Sequence, residues 1–215
     1  MSSAQLQNHA KVIVVGAGPV GLTAALVLAR AGVEVCVLEA EDKLVEDLRT
    51  TIIQPSSLEV WNMLRAADGI LAYGSRCCTM QYRERENGLV ANLDYACLEG
   101  VTTFAHITLC ALPFVVPDLH SALMATGCAT VHFGHRVEQI ANRDNGVLLD
   151  VRSPDGQRQI SADFVIAADG TRSTIRDAFP IHRLRVAPGN KLYRVTVADN
   201  VDQLDQVWRY RSGDM

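Results

Sequence analysis

The feature that most constrains the fold is a glycine triplet that stands directly between a predicted strand and a predicted helix. Residues 11–21 read KVIVVGAGPVG, a β-branched apolar run that ends in Gly16, Gly18 and Gly21. Such a run is typical of a buried parallel strand that leads into a tight turn. In this spacing the first glycine permits the turn, the second lets the backbone approach a pyrophosphate, and the third lets helix and strand pack closely. The position of the triplet between a strand and a helix therefore indicates a nucleotide site. The three glycines alone leave a plain glycine-rich turn open as the alternative.

The residues after the triplet complete a βαβ unit. Residues 22–32, LTAALVLARAG, carry strong helix formers with apolar residues at helical spacing and end on a glycine, which is a good C-terminal cap. Residues 33–41, VEVCVLEAE, predict a second buried strand, so residues 11–39 form one unit. Phosphates are expected at the positive N-terminal end of the helix, against its unpaired N–H groups.

An acidic residue ends the second predicted strand. Glu39 follows the glycines by about 20 residues, the place where a carboxylate accepts hydrogen bonds from ribose hydroxyls. An acid at this place disfavours a 2′-phosphate, so the expected ligand is NAD-like or FAD-like and not NADP. The glycines do not distinguish NAD from FAD. The predicted cofactor-binding residues of this unit are Gly16, Gly18, Pro19, Val20, Gly21, Glu39 and Ala40.

A second polar turn follows an apolar run late in the chain. Residues 164–176 read FVIAADGTRSTIR, in which the apolar run stops at Asp169 and Gly170. By itself this segment favours a strand followed by a helix start that Ser173 caps. With the glycine triplet upstream, DGTRSTIR resembles the D-G-x-x-S-x-x-R motif of the FAD-dependent aromatic hydroxylases, the p-hydroxybenzoate hydroxylase-like (group A) flavoprotein monooxygenases. The resemblance spans essentially the whole chain and favours FAD over NAD.

The resemblance implies three further groups of cofactor contacts. Asp169 and Gly170 would contact the ribose or ribityl region of FAD, and the motif has also been linked to the reduced nicotinamide. Arg176 would anchor the turn through a paired charge or a nearby phosphate. Arg49, which begins RTTIIQPSSLEVW, is similar to a family arginine beside the flavin or the incoming nicotinamide.

The chain also departs from the family pattern in two places. LPFVVPDLHSAL resembles a stretch that carries a flavin-contacting Gln or Arg before a helix, and here Asp118 or Val116 takes that place, depending on the register. A later G-D motif that binds the ribityl and pyrophosphate groups is absent, since Gly213 and Asp214 have no buried strand before them. The sequence is therefore expected to be the N-terminal portion of a longer hydroxylase.

The implied fold class is α/β, a Rossmann-like FAD-binding domain of the glutathione reductase type with an incomplete β-sheet substrate domain. Residues 10–76 and 101–179 would form the FAD-binding domain, residues 77–100 a substrate-domain hairpin around Asn87–Gly88, and residues 180–215 truncated substrate-domain strands. Helical spacing predicts two more helices, and turn sequences separate three more predicted strands. The helices are expected at residues 55–67 and 115–127, and the strands at residues 136–143, 146–153 and 158–169.

The activity implied by the resemblance is hydroxylation of an aromatic or similar small organic substrate. NAD(P)H would reduce FAD, reduced FAD would trap O₂ as a C4a-hydroperoxide, and the distal oxygen would pass to the ring. Two alternatives stay open: a related FAD-dependent reductase or dehydrogenase, and a truncated, non-catalytic nucleotide-binding fragment. The sequence assigns no catalytic residue. A homodimer is compatible with it.

Composition excludes several other classes. The net charge of -4 provides no basic surface for nucleic acid, and no apolar window is long enough for a membrane span. The first residues lack a secretory signal, so a short disordered leader and a cytoplasmic protein are expected. The six cysteines have no C-x-x-C spacing and are expected to be mostly buried and reduced, and no metal site is expected.

Overall fold

The computed structural model describes residues 6–44, 50–84, 87–179 and 206–211. The elements in chain order are β1 (His9–Val15), α1 (Pro19–Arg30), β2 (Val35–Leu38), β3 (Thr50–Ile53), α2 (Pro55–Met63), α3 (Asp68–Tyr73), β4 (Ser75–Cys77), β5 (Thr79–Glu84), β6 (Gly88–Asp94), a 3-10 helix (Tyr95–Leu98), β7 (Ile107–Ala111), α4 (Leu112–Met124), β8 (Ala129–His132), β9 (Arg136–Arg143), β10 (Gly146–Ser153), β11 (Gly156–Ala167), α5 (Thr174–Asp177) and β12 (Gln206–Arg211).

A six-stranded sheet in the order β8-β2-β1-β11-β10-β9 organises most of these elements. Strands β8, β2, β1 and β11 run parallel, while β10 and β9 continue the sheet as an antiparallel meander. The predicted βαβ unit and the three strands predicted before Asp169 are confirmed. Because the parallel strands point the same way, the turns that follow β1, β2 and β11 lie at one edge of the sheet.

Both faces of the sheet are buried, as the unbroken apolar run of β1 requires. Val14 packs into a core with α1, α2 and α4, and Ile13 packs on the other face with residues of the meander and α5. Both side chains are fully buried. Helix α1 packs against α4 and crosses from β1 to β2, so its N-terminus is held at the edge where the strands end.

Two smaller sheets flank this arrangement. Strands β3, β7 and β4 form one antiparallel sheet. The hairpin predicted at Asn87–Gly88 is confirmed as β5 and β6, and β12 pairs with β5 in parallel. The rest of the predicted C-terminal segment, residues 180–205 and 212–215, lies outside the described residues.

The helix predictions are confirmed with shifted bounds, and several short elements were not predicted. Helix α2 ends before residue 67, and α4 begins before residue 115. Strands β3, β4, β7 and β8 and helix α3 were missed. No helix within the described ranges combines the length and apolar composition that crossing a membrane requires.

The expectation that the cysteines are mostly buried is only partly right. Cys36, Cys77 and Cys110 are buried, whereas Cys78 and Cys97 are exposed. Burial raises the pKa of the Cys36 thiol to about 11, although a hydrogen bond with Thr130 opposes the shift. Burial, followed by the nearby Asp118 carboxylate, also raises the pKa of Cys110.

We expect alkylation of the folded protein at about pH 8 to modify Cys78 and Cys97 first, because the thiolate is the reactive form and burial suppresses it. Peptide mass spectrometry after brief iodoacetamide treatment measures the order. The same treatment in denaturant should label all positions alike. Early labelling of Cys36 in the folded protein would contradict the described packing.

Candidate nucleotide-binding site

The carboxyl ends of three parallel strands surround a cleft of about 520 Å³. Main-chain hydrogen bonds hold the strand ends together, with Gly16 N–H donating to the Leu38 carbonyl over 2.8 Å and Ala168 N–H to the Val15 carbonyl over 2.9 Å. The cleft is lined by the turns after β1, β2 and β11 and by the start of β9, namely Val15, Gly16, Gly18, Leu38, Glu39, Ala40, Glu41, His135, Arg136, Val137, Ala168, Asp169, Gly170, Thr171, Arg172 and Thr174.

The glycine turn has different steric requirements at its three glycines. Gly16 has φ +104°, and a Cβ there would overlap the Ala168 carbonyl oxygen. A Cβ on Gly21 would overlap the Gly16 carbonyl oxygen. A Cβ on Gly18 would meet nothing within 4 Å, although Gly18 lines the cleft. Gly16 and Gly21 therefore permit close packing, while Gly18 leaves open backbone facing the cleft.

Helix α1 begins at this turn and directs its N-terminus toward the cleft. Gly18 is the N-cap, Pro19 is the first helical residue, and no side chain caps the helix. The first turn contains no acidic residue. Its N–H groups, which include those of Val20 and Gly21, have no acceptor within the helix, and together with the helix dipole they favour an anion.

The Glu39 carboxylate connects the first two turns. Its Oε2 accepts a hydrogen bond from Ala17 N–H at 2.6 Å, and its Oε1 accepts one from Glu41 N–H at 2.9 Å. Each carboxylate oxygen has a second lone pair, so acceptor capacity remains for a ligand hydroxyl. The structure therefore brings the predicted acid and the glycine turn into direct contact.

The turn after β11 is held by its own side chains. The Asp169 Oδ2 atom accepts a hydrogen bond from Ile175 N–H at 3.1 Å, and Ser173 caps α5 by accepting from Arg176 N–H at 3.0 Å. The Arg176 Nη2 group donates to the Thr171 carbonyl at 3.0 Å. Asp169 and Gly170 line the cleft. Arg176 does not line it and stabilises the turn through its hydrogen bond to Thr171. The predicted phosphate contact of Arg176 stays a prediction.

Among the other predicted contacts, neither Asp118 nor its alternative Val116 lines the cleft. Arg49 lies outside the described residues. Asp118 lies on α4 against the start of α3, where a Cβ on Gly69 would overlap its carboxylate. Val116, the alternative in the other register, is fully buried in the core.

The surroundings of Asp118 disfavour the ionised form of its carboxyl group. Burial, followed by repulsion from Asp68, raises the pKa of its carboxyl, although the main-chain N–H groups of Ile70 and Gly69 favour the ionised form. Within the described residues, its Oδ2 atom has no hydrogen-bond partner. The side chain therefore belongs to the packing of α4 on α3 and not to the cleft.

Sequence reasoning missed the wall of the cleft that precedes β9. His135 N–H donates to the Glu39 carbonyl at 2.7 Å, and the Arg136 side chain forms an ion pair with Glu41 at 3.3 Å. The only signal was the H-x-x-H spacing of His132 and His135, whose rings lie 5.4 Å apart. Burial and the neighbouring His135 lower the pKa of His132. Across the part of the chain that the structure describes, no group of three potential metal ligands occurs.

Parallel strands whose carboxyl ends present a glycine turn, a helix N-terminus and an acid at the end of the second strand define a dinucleotide-binding protein of the Rossmann-like class. The family model for the FAD binding domain matches residues 9–211, so the chain belongs to this family. The cleft fits the adenosine diphosphate half of FAD, because it offers open backbone and helix N–H groups to the pyrophosphate and a carboxylate to the ribose. The expected α/β fold class and the FAD cofactor are confirmed.

Relatives with established names match most of this chain. Para-nitrophenol 4-monooxygenase of Pseudomonas sp. strain WBC-3 is 31% identical over 165 residues, which cover 77% of this chain and 41% of the relative. Pentachlorophenol 4-monooxygenase of Sphingobium chlorophenolicum is 30% identical over 173 residues, which cover 80% of this chain and 32% of the relative. The crystal structure of p-nitrophenol 4-monooxygenase PnpA from Pseudomonas putida DLL-E4 has a TM-score of 0.72 and 32% identity, over 79% of this chain and 43% of PnpA. The chain thus spans less than half the length of each.

We expect two glycine substitutions to separate folding from ligand binding. Gly21→Ala should lower the free energy of unfolding by about 2 kcal/mol or more, because the new methyl group overlaps the Gly16 carbonyl. Gly18 has φ -75° and ψ 177°, which alanine adopts without strain. Gly18→Ala should therefore change the stability by less than about 1 kcal/mol and weaken FAD binding about tenfold or more.

Urea unfolding and FAD titration of both variants measure these effects. Gly32→Ala serves as the control for a loss of stability alone. Gly32 has φ +78°, where alanine is strained, and it does not line the cleft, so its substitution should leave the FAD affinity unchanged. Unchanged FAD affinity in Gly18→Ala would contradict the assignment of the open backbone to the phosphates.

We also expect Asp118→Asn to stabilise the protein at neutral pH. A carboxyl whose folded-state pKa is raised binds its proton more tightly in the folded chain, so wild-type stability falls as the pH rises through that pKa. The asparagine amide that replaces the carboxyl carries no charge at any of these pH values, so this pH dependence is lost in the variant. The advantage of Asp118→Asn in urea unfolding should therefore be larger at about pH 7 than at about pH 4. Asp144→Asn, on an exposed turn, is the control, and an equal pH dependence there would contradict the argument.

Proposed function

We propose that this chain is the cofactor-binding part of an FAD-dependent monooxygenase that hydroxylates a phenolic compound with NAD(P)H and O₂. The observation that carries the proposal is the single cleft into which the structure brings Gly16, Gly18, Glu39 and Asp169. These residues come from the ends of three different strands. Their convergence supports one extended ligand that contacts all three turns.

The adenosine diphosphate half of FAD would lie along the first two turns. The N–H groups at the start of α1 would donate to the pyrophosphate, and the free lone pairs of Glu39 would accept from the adenosine ribose. Pro19 and Val20 would border the phosphates, and Ala40 would lie beside the ribose. FAD, when bound, supplies the hydride acceptance and oxygen activation of the reaction.

The Asp169 turn would contact the cofactor from the opposite wall. The Asp169 carboxylate accepts one main-chain hydrogen bond at Oδ2 and retains acceptor capacity for a ribityl or ribose hydroxyl. Gly170, with φ +80°, permits the sharp turn after Asp169 and also lines the cleft. Arg49 is proposed as a contact near the flavin, as the family resemblance implies.

A phenol is the proposed substrate class. The relatives are named for action on nitrophenol, pentachlorophenol and 3-(3-hydroxy-phenyl)propionate, each an aromatic ring with a hydroxyl group. We assign residues 77–100 and 180–215 to the substrate domain, and residues 10–76 and 101–179 to the FAD-binding domain. Support comes from the β12-β5-β6 sheet, which shares no strand with the six-stranded sheet. A homodimer and a cytoplasmic location stay predictions.

We expect the chain to bind FAD and Glu39→Ala to weaken that binding about tenfold or more, because a charged hydrogen bond to ribose is lost and the first two turns lose their connection. Flavin fluorescence and absorbance during titration measure the affinity. Glu34→Ala, an exposed acid before β2, is the matched control. The assignment fails if the chain binds no FAD or if both variants lose affinity equally.

Activity assays distinguish the three candidate functions. Phenol-stimulated NAD(P)H oxidation with matching O₂ uptake and a hydroxylated product would support the monooxygenase. NAD(P)H oxidation with product formed in the absence of O₂ would favour a reductase or dehydrogenase. FAD binding with neither reaction would assign the chain as a binding fragment.

A further inference from the structure

A short chain of hydrogen bonds runs from helix α2 to the first turn of helix α1. The indole Nε1–H of Trp61 donates to the Thr23 hydroxyl oxygen at 2.8 Å, and the Thr23 hydroxyl donates to the Pro19 carbonyl at 2.6 Å. The directions are fixed, because an indole nitrogen can only donate and the threonine hydroxyl has a single hydrogen. The hydroxyl therefore accepts from Trp61 and donates to Pro19.

The last acceptor in this chain belongs to the first peptide unit of α1, at the helix N-terminus where the pyrophosphate is proposed to bind. The Pro19 carbonyl and the Val20 N–H are the two ends of one planar peptide group, and no cis peptide bond occurs within the described ranges. In a trans peptide these two bonds point in opposite directions. The hydrogen bond from the Thr23 hydroxyl to the Pro19 carbonyl therefore acts on the same peptide group that presents the Val20 N–H at the open N-terminus of α1.

We propose that Thr23 and Trp61 are positioning residues that polarise the first peptide of α1 and so strengthen the Val20 N–H as a donor to the cofactor pyrophosphate. The inference rests on the proposed FAD site. Hydrogen bonds in series polarise one another, so a donor to the Pro19 carbonyl makes the Val20 N–H a better donor at the other end of the peptide. Thr23 acts on the peptide directly, and Trp61 acts only through Thr23.

The packing of Trp61 argues that the hydrogen bond is specific and not incidental. Its side chain is only 8% exposed and belongs to the main core, where a phenyl ring would fill similar space. A buried indole N–H needs a partner, and Thr23 provides it. The N-terminus of α2 is also held, since Tyr95 donates its hydroxyl to the Gln54 side chain at 3.1 Å. Helix α2 is thus a fixed support for the hydrogen-bond chain.

The test compares ligands with and without phosphates on matched variants. Thr23→Val keeps the shape but removes the hydroxyl, Thr23→Ser keeps the hydroxyl, and Trp61→Phe removes only the first donor. Thr126→Val is the control, because the Thr126 hydroxyl likewise donates to a main-chain carbonyl, that of Leu123 at 2.7 Å, and Thr126 does not line the cleft. Binding of FAD, and competition by ADP and by adenosine, are measured by flavin fluorescence on the full chain.

We expect Thr23→Val to weaken FAD and ADP binding about twofold to threefold, because the hydrogen bond of the Val20 N–H is weakened and not removed, and to leave adenosine binding unchanged. Thr23→Ser should bind ADP like the wild type, and Trp61→Phe should show a smaller loss than Thr23→Val. The double variant Thr23→Val/Trp61→Phe should be no weaker than Thr23→Val alone, because Trp61 acts through the hydroxyl.

Each other outcome overturns the inference. Parallel losses for ADP and adenosine would show a general effect on folding, and an ADP affinity like that of the wild type in Thr23→Val would show that the hydroxyl is not needed. Additive losses in the double variant would show that Trp61 acts independently. A Thr23→Ser variant as weak as Thr23→Val, with unfolding curves like those of the wild type, would exclude the hydroxyl as the cause. A wild-type chain that binds neither FAD nor ADP would overturn the proposed function as well.

Discussion

The walls of the cleft are held together where two glycines, Gly21 and Gly16, pack closely against main-chain carbonyl oxygens. Gly21 packs on the Gly16 carbonyl, and Gly16 packs on the Ala168 carbonyl, with no room for a Cβ at either place. The start of α1, the turn after β1 and the end of β11 are therefore in direct backbone contact. A side chain at either glycine would push the helix N-terminus away from the Asp169 turn and separate the two walls of the cleft.

The acids of the cleft support the turns before any ligand is bound. Both oxygens of Glu39 accept hydrogen bonds from main-chain N–H groups, one from each of the first two turns, and Asp169 accepts one from Ile175 N–H at the start of α5. Each carboxylate thus satisfies main-chain donors of the turns and still has lone pairs that can accept further hydrogen bonds. The same groups that would recognise FAD hold the loops in place, so the site needs little reorganisation when the cofactor arrives.

The sequence predicted the parts of the fold that carry long periodic signals. The βαβ unit and the three-stranded meander have uninterrupted apolar or alternating runs bounded by glycine or proline turns, and both appear where expected. Strands β3, β4, β7 and β8 have three to five residues each, and their register depends on partners far away in the chain. His135 and Arg136 were missed for the same reason, because they reach the cleft only through the position of β8 at the edge of the sheet.

The prediction for Asp118 shows that a motif match can give the correct helix without giving the direction of each side chain on it. The segment around Asp118 does form helix α4, as the helical spacing predicted, but the register around the helix decides which side chain faces which neighbour. Residue 118 lies on the face of α4 that meets α3, one helical step from the fully buried Leu119. A helix turns by about 100° per residue, so an error of one residue moves a predicted contact to another face. The glycine and Asp169 turns depend less on such a rotation, because the glycine turn presents its backbone and Asp169 directly follows the end of a strand, and both turns line the cleft.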